Sequence, residues 1–370
     1  MSDAESQQAD QLQGARHPRH TLKLFGQNEA QSDFLTAYNS NRMHHAWMIT
    51  GPKGIGKATL AWRIARFVLS ENVDNTLPKT HPSKTLEISK NHPISRRIDA
   101  LGEPNLYLVR RTWDDKTKKI RQNITVDEIR KLKSFFNMSS ADGGWRVAII
   151  DSADEMNSAA ANALLKILEE PPEKVLLLLI SHQSLRLLPT IRSRCRTLRC
   201  NTLLPDHLRS SLNQAGFKLD SSATEISILA NGSVGTSIEL ISNDGINLYN
   251  SIIQMVGQTP QMDRQAMQSM ADACSGKNAI EKYNMTLQLF LKFVARLAKF
   301  GALQPKDFQE ASPGEALTIS RLAPNIQAAR KWANLVQEIT TRTTHARSVN
   351  LDPSSVILDM LLKFEETARN

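Results

Sequence analysis

Seven residues constrain this chain more than any others: Gly51-Pro-Lys-Gly-Ile-Gly56-Lys57. They follow an apolar run, Ala46 to Thr50, that reads as a strand, and they precede a helical pattern carried by Leu60, Ile64, Ala65 and Val68. Gly-x4-Gly-Lys between a strand and a helix is the spacing of a phosphate-binding loop. Gly51, Gly54 and Gly56 let the backbone fold tightly so that its N–H groups converge, and the helix N-terminus adds a dipole that favours an anion. Lys57 is placed to reach β- and γ-phosphates. The next position departs from the pattern. An active loop carries a Ser or Thr hydroxyl there for Mg²⁺, and this chain has Ala58. Thr59 offers a hydroxyl one residue later, but one helical step turns a side chain by roughly 100°. Two readings stay open: a nucleotide site on Gly51, Gly54, Gly56, Lys57 and Thr59, or a loop kept for its turn.

Strands and helices continue to alternate downstream. Leu106 to Val109 predicts a second strand, and Ile120 to Val126 a partner strand with Asp114-Asp115-Lys116 as its turn. Thr125 and Glu128 form a capping box that opens a helix to about Asn137. Gly143-Gly144 introduces the strand Trp145 to Ile150. Ser158 to Glu170 is an alanine- and leucine-rich helix stopped by Pro171-Pro172. Val175 to Ile180 is the most apolar strand, and Thr197 to Cys200 a short last one. Residues 71–104, rich in Pro, Ser, Asn and charge, read as a loop. The alternation predicts an α/β domain, a parallel sheet with helices on both faces. Asp151 ends the 145–150 strand, where a phosphate-loop protein positions Mg²⁺; its other reading is a solvated strand end. Ser152 follows, and a hydroxyl is no base near neutral pH. Asp154 and Glu155 lie beyond a turn.

Past residue 200 no strand pattern is found. Helices are expected near 205–215, 222–230, 235–243, 247–257, 262–273, 278–301, 325–346 and 354–368. Asp352 is the expected N-cap of the last, with Pro353 at its first position. Leu287, Leu289, Leu291, Val294, Leu297 and Ala298 give one helix a buried face, and Met255, Met262, Met267, Met270 and Met285 read as core filling. A length of 370 residues implies two or three domains. The expected division is a disordered tail (1–20), the phosphate-loop domain (21–201), a small helical domain (202–246) and a larger helical one (247–370). The longest aliphatic run, Val175 to Ile180, is far short of the ~18–20 residues that span a bilayer, so no membrane partner is expected. No N-terminal stretch resembles a signal peptide. Cysteines stand only at 195, 200 and 274, which fits a reducing cytoplasm. The net charge of +9 is compatible with an acidic partner, nucleic acid included.

Several segments together resemble the clamp-loader branch of AAA+ proteins, most closely its delta-prime family. They are Leu24-Phe-Gly-Gln27, His44-His-Ala46, Ile124-Thr-Val-Asp-Glu-Ile-Arg130, Asn162-Ala-Leu-Leu-Lys-Ile-Leu-Glu-Glu-Pro-Pro172, Ile191-Arg-Ser-Arg-Cys195 and Asn350-Leu-Asp-Pro353. The resemblance runs from about residue 21 to the end and is most specific in 44–200. It implies an AAA+ domain, a small helical lid and an all-α collar domain. Motor subunits of that family carry Thr where this chain has Ala58, Glu where it has Ser152, and an arginine soon after the Gly-Ser pair that here reads Gly232-Ser-Val-Gly235. Three losses imply a subunit without ATPase activity of its own, within the DNA polymerase III holoenzyme, a DNA-directed DNA polymerase assembly. ATP is not required, and its binding at Lys57, Asp151 and Ser181 (the family's sensor position) is an open alternative. Many relatives bind zinc through four cysteines before the Asp151 strand. This chain has none there, so no zinc or other metal site is expected, and His81 with His92 does not make one.

Arg192, Arg194, Arg196 and Arg199 fall within eight residues. They read as a basic face or DNA contact, or, from the Ser-Arg-Cys resemblance, as carrying an arginine finger at Arg194. A planar guanidinium binds γ-phosphate oxygens bidentately, and the finger would act in trans on a neighbour's site. Implied partners are motor subunits and delta in a hetero-pentameric ring, with the sliding clamp and primed DNA reached through it. Two alternatives remain: an active ATPase using Lys57 and Thr59 with Glu155 as base, and a DNA-binding protein with a decayed loop. Arg110 to Arg121, six basic residues around Trp113, reads as a solvated hairpin or a nucleic-acid contact.

Overall fold

The computed structural model describes residues 8–21, 23–40, 42–74, 82–138, 143–218, 222–276 and 279–369. The chain divides into two compact units, Met1–Phe217 with Gly232–Thr236, and Lys218–Asn231 with Ser237–Asn370.

The first unit is α/β. Its elements are α1 (Asn28–Asn39), β1 (Ala46–Thr50), α2 (Lys57–Asp74), α3 (Pro93–Asp99), β2 (Leu106–Arg110), β3 (Trp113–Asp114), β4 (Lys119–Ile120), α4 (Val126–Asn137), β5 (Arg146–Asp151), α5 (Ser158–Glu169), β6 (Val175–Ser181), α6 (Pro189–Arg192), β7 (Arg196–Arg199) and α7 (Pro205–Ala215). Five strands form one sheet in the order β2-β5-β6-β1-β7, every pair parallel. All residues of β6 are buried, because a strand covered on both faces must be apolar on both. Successive residues alternate between two cores. Trp47, Ile49, Leu176, Leu178 and Ile180 meet Leu60, Ile64 and Val68 of α2. Ala46, Met48, Leu177 and Leu179 meet Leu132 of α4 and Leu164 and Ile167 of α5. Asn157 caps α5 by accepting from the Ala160 N–H at 2.8 Å, and the helix ends before Pro171-Pro172.

Four local expectations change. Of the expected tail, residues 1–7 lie outside the described residues, but 8–20 are placed against the fold. The Asp10 carboxylate is paired with His17 Nε2 at 2.9 Å and with Arg110, and the ring of His17 packs edge-on to Trp62. Within 71–104, of which 75–81 lie outside the described residues, 93–99 form α3, started by Pro93 and capped by the His92 ring. The strand expected at 120–126 shrinks to Lys119–Ile120 plus one bridge from Ile124 to Met156. The capping box does not form: the Thr125 side chain makes no capping bond, and Glu128 is drawn to Lys131 at 2.9 Å.

The second unit is helical: α8 (Ala223–Ala230), α9 (Val234–Ser242, whose first residues count with the first unit), α10 (Gly245–Gly257), α11 (Arg264–Asp272), α12 (Ile280–Leu303), α13 (Glu315–Leu322), α14 (Ile326–Ser348) and α15 (Pro353–Arg369). Phe290, Phe293, Leu297, Trp332 and Phe364 centre its core, which takes in Met255, Met262, Met267 and Met285. Buried Glu315 is satisfied by Arg296, the Tyr249 hydroxyl and the Ala311 N–H. Asp352 caps α15 through the Ser355 N–H at 3.0 Å. Among the described residues no helix is long and apolar enough to cross a membrane.

Candidate functional site

The phosphate loop turns out of β1 and into α2. Gly51 has φ 141° and Gly54 φ 77°, backbone that favours glycine. A Cβ on Gly54 would meet Ser233 Oγ at 2.5 Å and Gly235 Cα at 2.9 Å. The loop is therefore tied from outside. Ser233 Oγ donates to the Lys53 carbonyl at 2.9 Å, and the Gly235 N–H donates to the Gly54 carbonyl at 3.0 Å. Gln27 ties it from below, donating to the Ile55 carbonyl at 3.0 Å and the Asn201 carbonyl at 2.7 Å. Lys57 is 3% exposed. Its ammonium donates to the Gly51 and Pro52 carbonyls of its own loop. Burial pushes it down to about 8, against the pull of Cys200, Asp151 and Asp154. Ala58 packs beside the core and brings no oxygen.

Asp151 ends β5, two strands from the loop. Desolvation, with the Asp10 carboxylate second, pushes its carboxyl up to about 7. The Asp151–Ser152 peptide is cis. Ser152 Oγ donates to Asp151 Oδ1 at 3.0 Å, and the His182 ring meets the same hydroxyl through Nε2 at 3.0 Å. With the Ser152 hydrogen given to Asp151, Nε2 is the donor. Burial and then Lys57 push His182 down to about 4, so the imidazole is neutral at pH 7. The His182 N–H is held by Asp154 at 3.0 Å. Among the described residues His182 Nδ1 and the buried Ser181 Oγ have no hydrogen-bond partner. The strand ends thus bring Lys57, Asp151 and Ser181 to one edge of the sheet. The position after Asp151 holds a hydroxyl already spent on its neighbours, not a carboxylate base. These groups fit an anion cradle, and the positions after Lys57 and Asp151 hold Ala58 and Ser152 where an active loop carries a hydroxyl and a carboxylate. Glu155 is taken by Arg111 at 2.8 Å.

Arg194 lies at the other edge. It precedes β7, whose first residue, Arg196, is in register with Trp47 near the start of β1. The phosphate loop follows Thr50 at the opposite end, about 13 Å of strand away. The Arg194 side chain is 36% exposed; Nη2 meets Glu169 Oε1 at 3.0 Å, and Nη1 donates to the Thr190 carbonyl at 3.0 Å. Arg196 stacks over Trp47 at 4.8 Å, so that residue covers the core, and Arg199 is exposed.

Residues 26–203 match the family described as DNA polymerase III, delta subunit. The chain is 35% identical over 156 residues to DNA polymerase III subunit delta' of Pseudomonas aeruginosa, covering 42% of this chain and 43% of the relative. Subunit delta' of Bacillus subtilis is 32% identical over 214 residues, 56% of this chain and 57% of the relative. Subunit gamma of Buchnera aphidicola subsp. Schizaphis graminum is 29% identical over 252 residues, 65% and 64%. Residues 26–203 carry the match to this family, and over part of its length the chain is similar to DNA polymerase III delta' and gamma subunits. It spans 43 to 64% of the length of these relatives.

Sequence reasoning missed three contributors to this site. His182 follows the strand end and carried no motif. Ser233 was read only for the arginine missing near it, yet its hydroxyl holds the loop. Asp10 was assigned to a tail, because its partners Arg110 and His17 are visible only once β2 is in place. Gln27 had a signal, the Leu-Phe-Gly-Gln resemblance, but not a role. His81 lies outside the described residues, and the His92 ring caps α3.

Proposed function

We propose that this chain is a delta-prime-type subunit of the bacterial clamp loader, a scaffold in DNA replication that turns over little or no ATP and lends Arg194 to a neighbouring ATPase. The observation that carries this reading is the division of the two halves of an ATPase site between opposite edges of one sheet. The loop edge has a self-satisfied lysine, Ala58 and a spent Ser152. The Arg194 edge keeps an accessible guanidinium that its own loop is too distant to use. A guanidinium supplied from outside contributes roughly 10³–10⁵ in rate in other NTPases. In this reading the helical second unit joins a collar with motor subunits and delta in a five-membered ring. The ring works in the cytoplasm and brings the sliding clamp to primed DNA.

The likeness to a relative named subunit gamma favours a second reading, an active motor using Lys57 and Thr59. Co-purification with candidate loader subunits, with ATPase measured for the chain alone and for the loader with and without it, separates the two. The proposal expects no turnover by the chain alone and stimulated turnover on its addition. Robust turnover by the isolated chain overturns it in favour of the motor. Salt-dependent binding to primed DNA with no co-assembly would favour a DNA-binding protein with a decayed loop.

A further inference from the structure

The β3–β4 hairpin is used by nothing described above. It leaves the C-terminal end of β2 and pairs Trp113 with Ile120 and Asp114 with Lys119. Its tip is ordered from within. The Asp114 carboxylate accepts from the Lys116 and Thr117 N–H groups at 2.9 and 3.3 Å. The Lys118 N–H returns to the Asp114 carbonyl at 2.8 Å, and Arg121 N–H to the Thr112 carbonyl at 2.9 Å. Its base is pinned by Arg111 to Glu155.

The six basic residues of this stretch split into two sets. Arg110, Arg111 and Arg121 are taken by Asp10, Glu155 and Asp114. Lys116, Lys118 and Lys119 are exposed, and among the described residues none has an ion-pair partner. Asp115 is the one carboxylate at the tip not engaged by a described hydrogen bond or ion pair, leaving a local excess of positive charge. Trp113 is 46% exposed. Its cross-strand partner Ile120 lies on the same face of the ribbon, and nearly half of the tryptophan is left to solvent. A turn held by its own hydrogen bonds, carrying three exposed ammonium groups a few residues from a part-exposed indole, suits a chain that alternates phosphates with flat rings.

We propose that the β3–β4 hairpin is a contact for single-stranded nucleic acid, with a base stacked on Trp113 and the backbone phosphates met by Lys116, Lys118 and Lys119. The inference stands on the hairpin's own residues and does not depend on the function proposed above. An arginine-rich duplex reader would keep its guanidinium groups free for base edges; here the arginines are consumed by the fold and the lysines, sequence-blind point charges, are left over.

The test is fluorescence anisotropy of a labelled 20-nucleotide oligothymidylate with the full chain, titrated across salt. Lys116→Ala/Lys118→Ala/Lys119→Ala should flatten the slope of log affinity against log salt by about 2. Trp113→Ala should weaken binding on the order of tenfold at every salt concentration, and Trp113→Phe should recover most of it. Thermal melts of each variant verify folding. No binding by the wild-type chain, or binding whose strength and salt slope both survive the triple substitution, overturns the proposal. Equal affinity for a duplex, indifferent to Trp113→Ala, overturns the stacking.

Discussion

The two edges of the five-stranded sheet present the same kinds of groups in opposite conditions. At the loop edge a lysine is desolvated and bonded to its own loop, which Ser233 and Gly235 tie at Lys53 and Gly54. At the other edge Arg194 is held by one exposed carboxylate and one carbonyl, and about a third of it faces water. An anion at the loop would have to displace the two carbonyls that hold the ammonium, whereas the Arg194 guanidinium is held by groups at the surface. The difference teaches that the two ends of one parallel sheet can hold cationic side chains in opposite states of solvation.

The contrast is most directly broken at Arg194. In a reconstituted loader, Arg194→Ala should leave assembly and thermal stability intact and lower DNA-stimulated ATPase on the order of 10³-fold. Unchanged turnover in an assembled complex removes the finger. Next comes Gly54→Ala, which forces a side chain into left-handed backbone and against Gly235. It should cost about 2 kcal/mol in chemical denaturation, and a neutral result would mean that the loop is not sealed as described.

The loop edge also predicts a pH dependence. The Asp151 carboxyl is raised in the fold, so the folded state holds the extra proton between about 4 and 7, and stability from this group falls as pH rises through that window. Lys57 is lowered to about 8, so the unfolded chain binds the extra proton from there up to its ordinary 10.5, and stability climbs over that range. Asp151→Asn should abolish the first slope, stabilising the chain on the order of 2 kcal/mol at pH 7.5 and hardly at all at pH 4. Denaturation at several pH values reads both. The smallest effect belongs to Glu169→Ala, which frees Arg194 from an exposed pair. It should cost below about 1 kcal/mol, and ATPase of the assembled loader should change no more than about threefold.

The sheet was legible because buried parallel strands are continuous apolar runs. Val175 to Ile180 and Ala46 to Thr50 were placed to within a residue of β6 and β1. The loop was legible because its chemistry demands particular residues at fixed spacing. What escaped was polar and non-local. Asp10 finds Arg110 a hundred positions away, and no local pattern announces that. The helix α3 begins with a histidine acting as its cap, a role usually taken by Ser, Thr, Asp or Asn. Glu128 had the right offset for a capping box but found a lysine one turn on. Competition between two local partners is a matter of energies, and spacing alone does not rank them.

The placement of residues 8–20 bears on how the protein is handled. Gln8 Oε1 accepts from Arg19 and Arg110, and Asp10 sits almost without solvent contact beside the last residue of β2. A purification handle fused ahead of this stretch would disturb side chains that hold Arg110 of β2 and pack on Trp62 of α2, and through Arg110 its register partner Asp151. Activity comparisons are better made with the handle at the far terminus, or cleaved away.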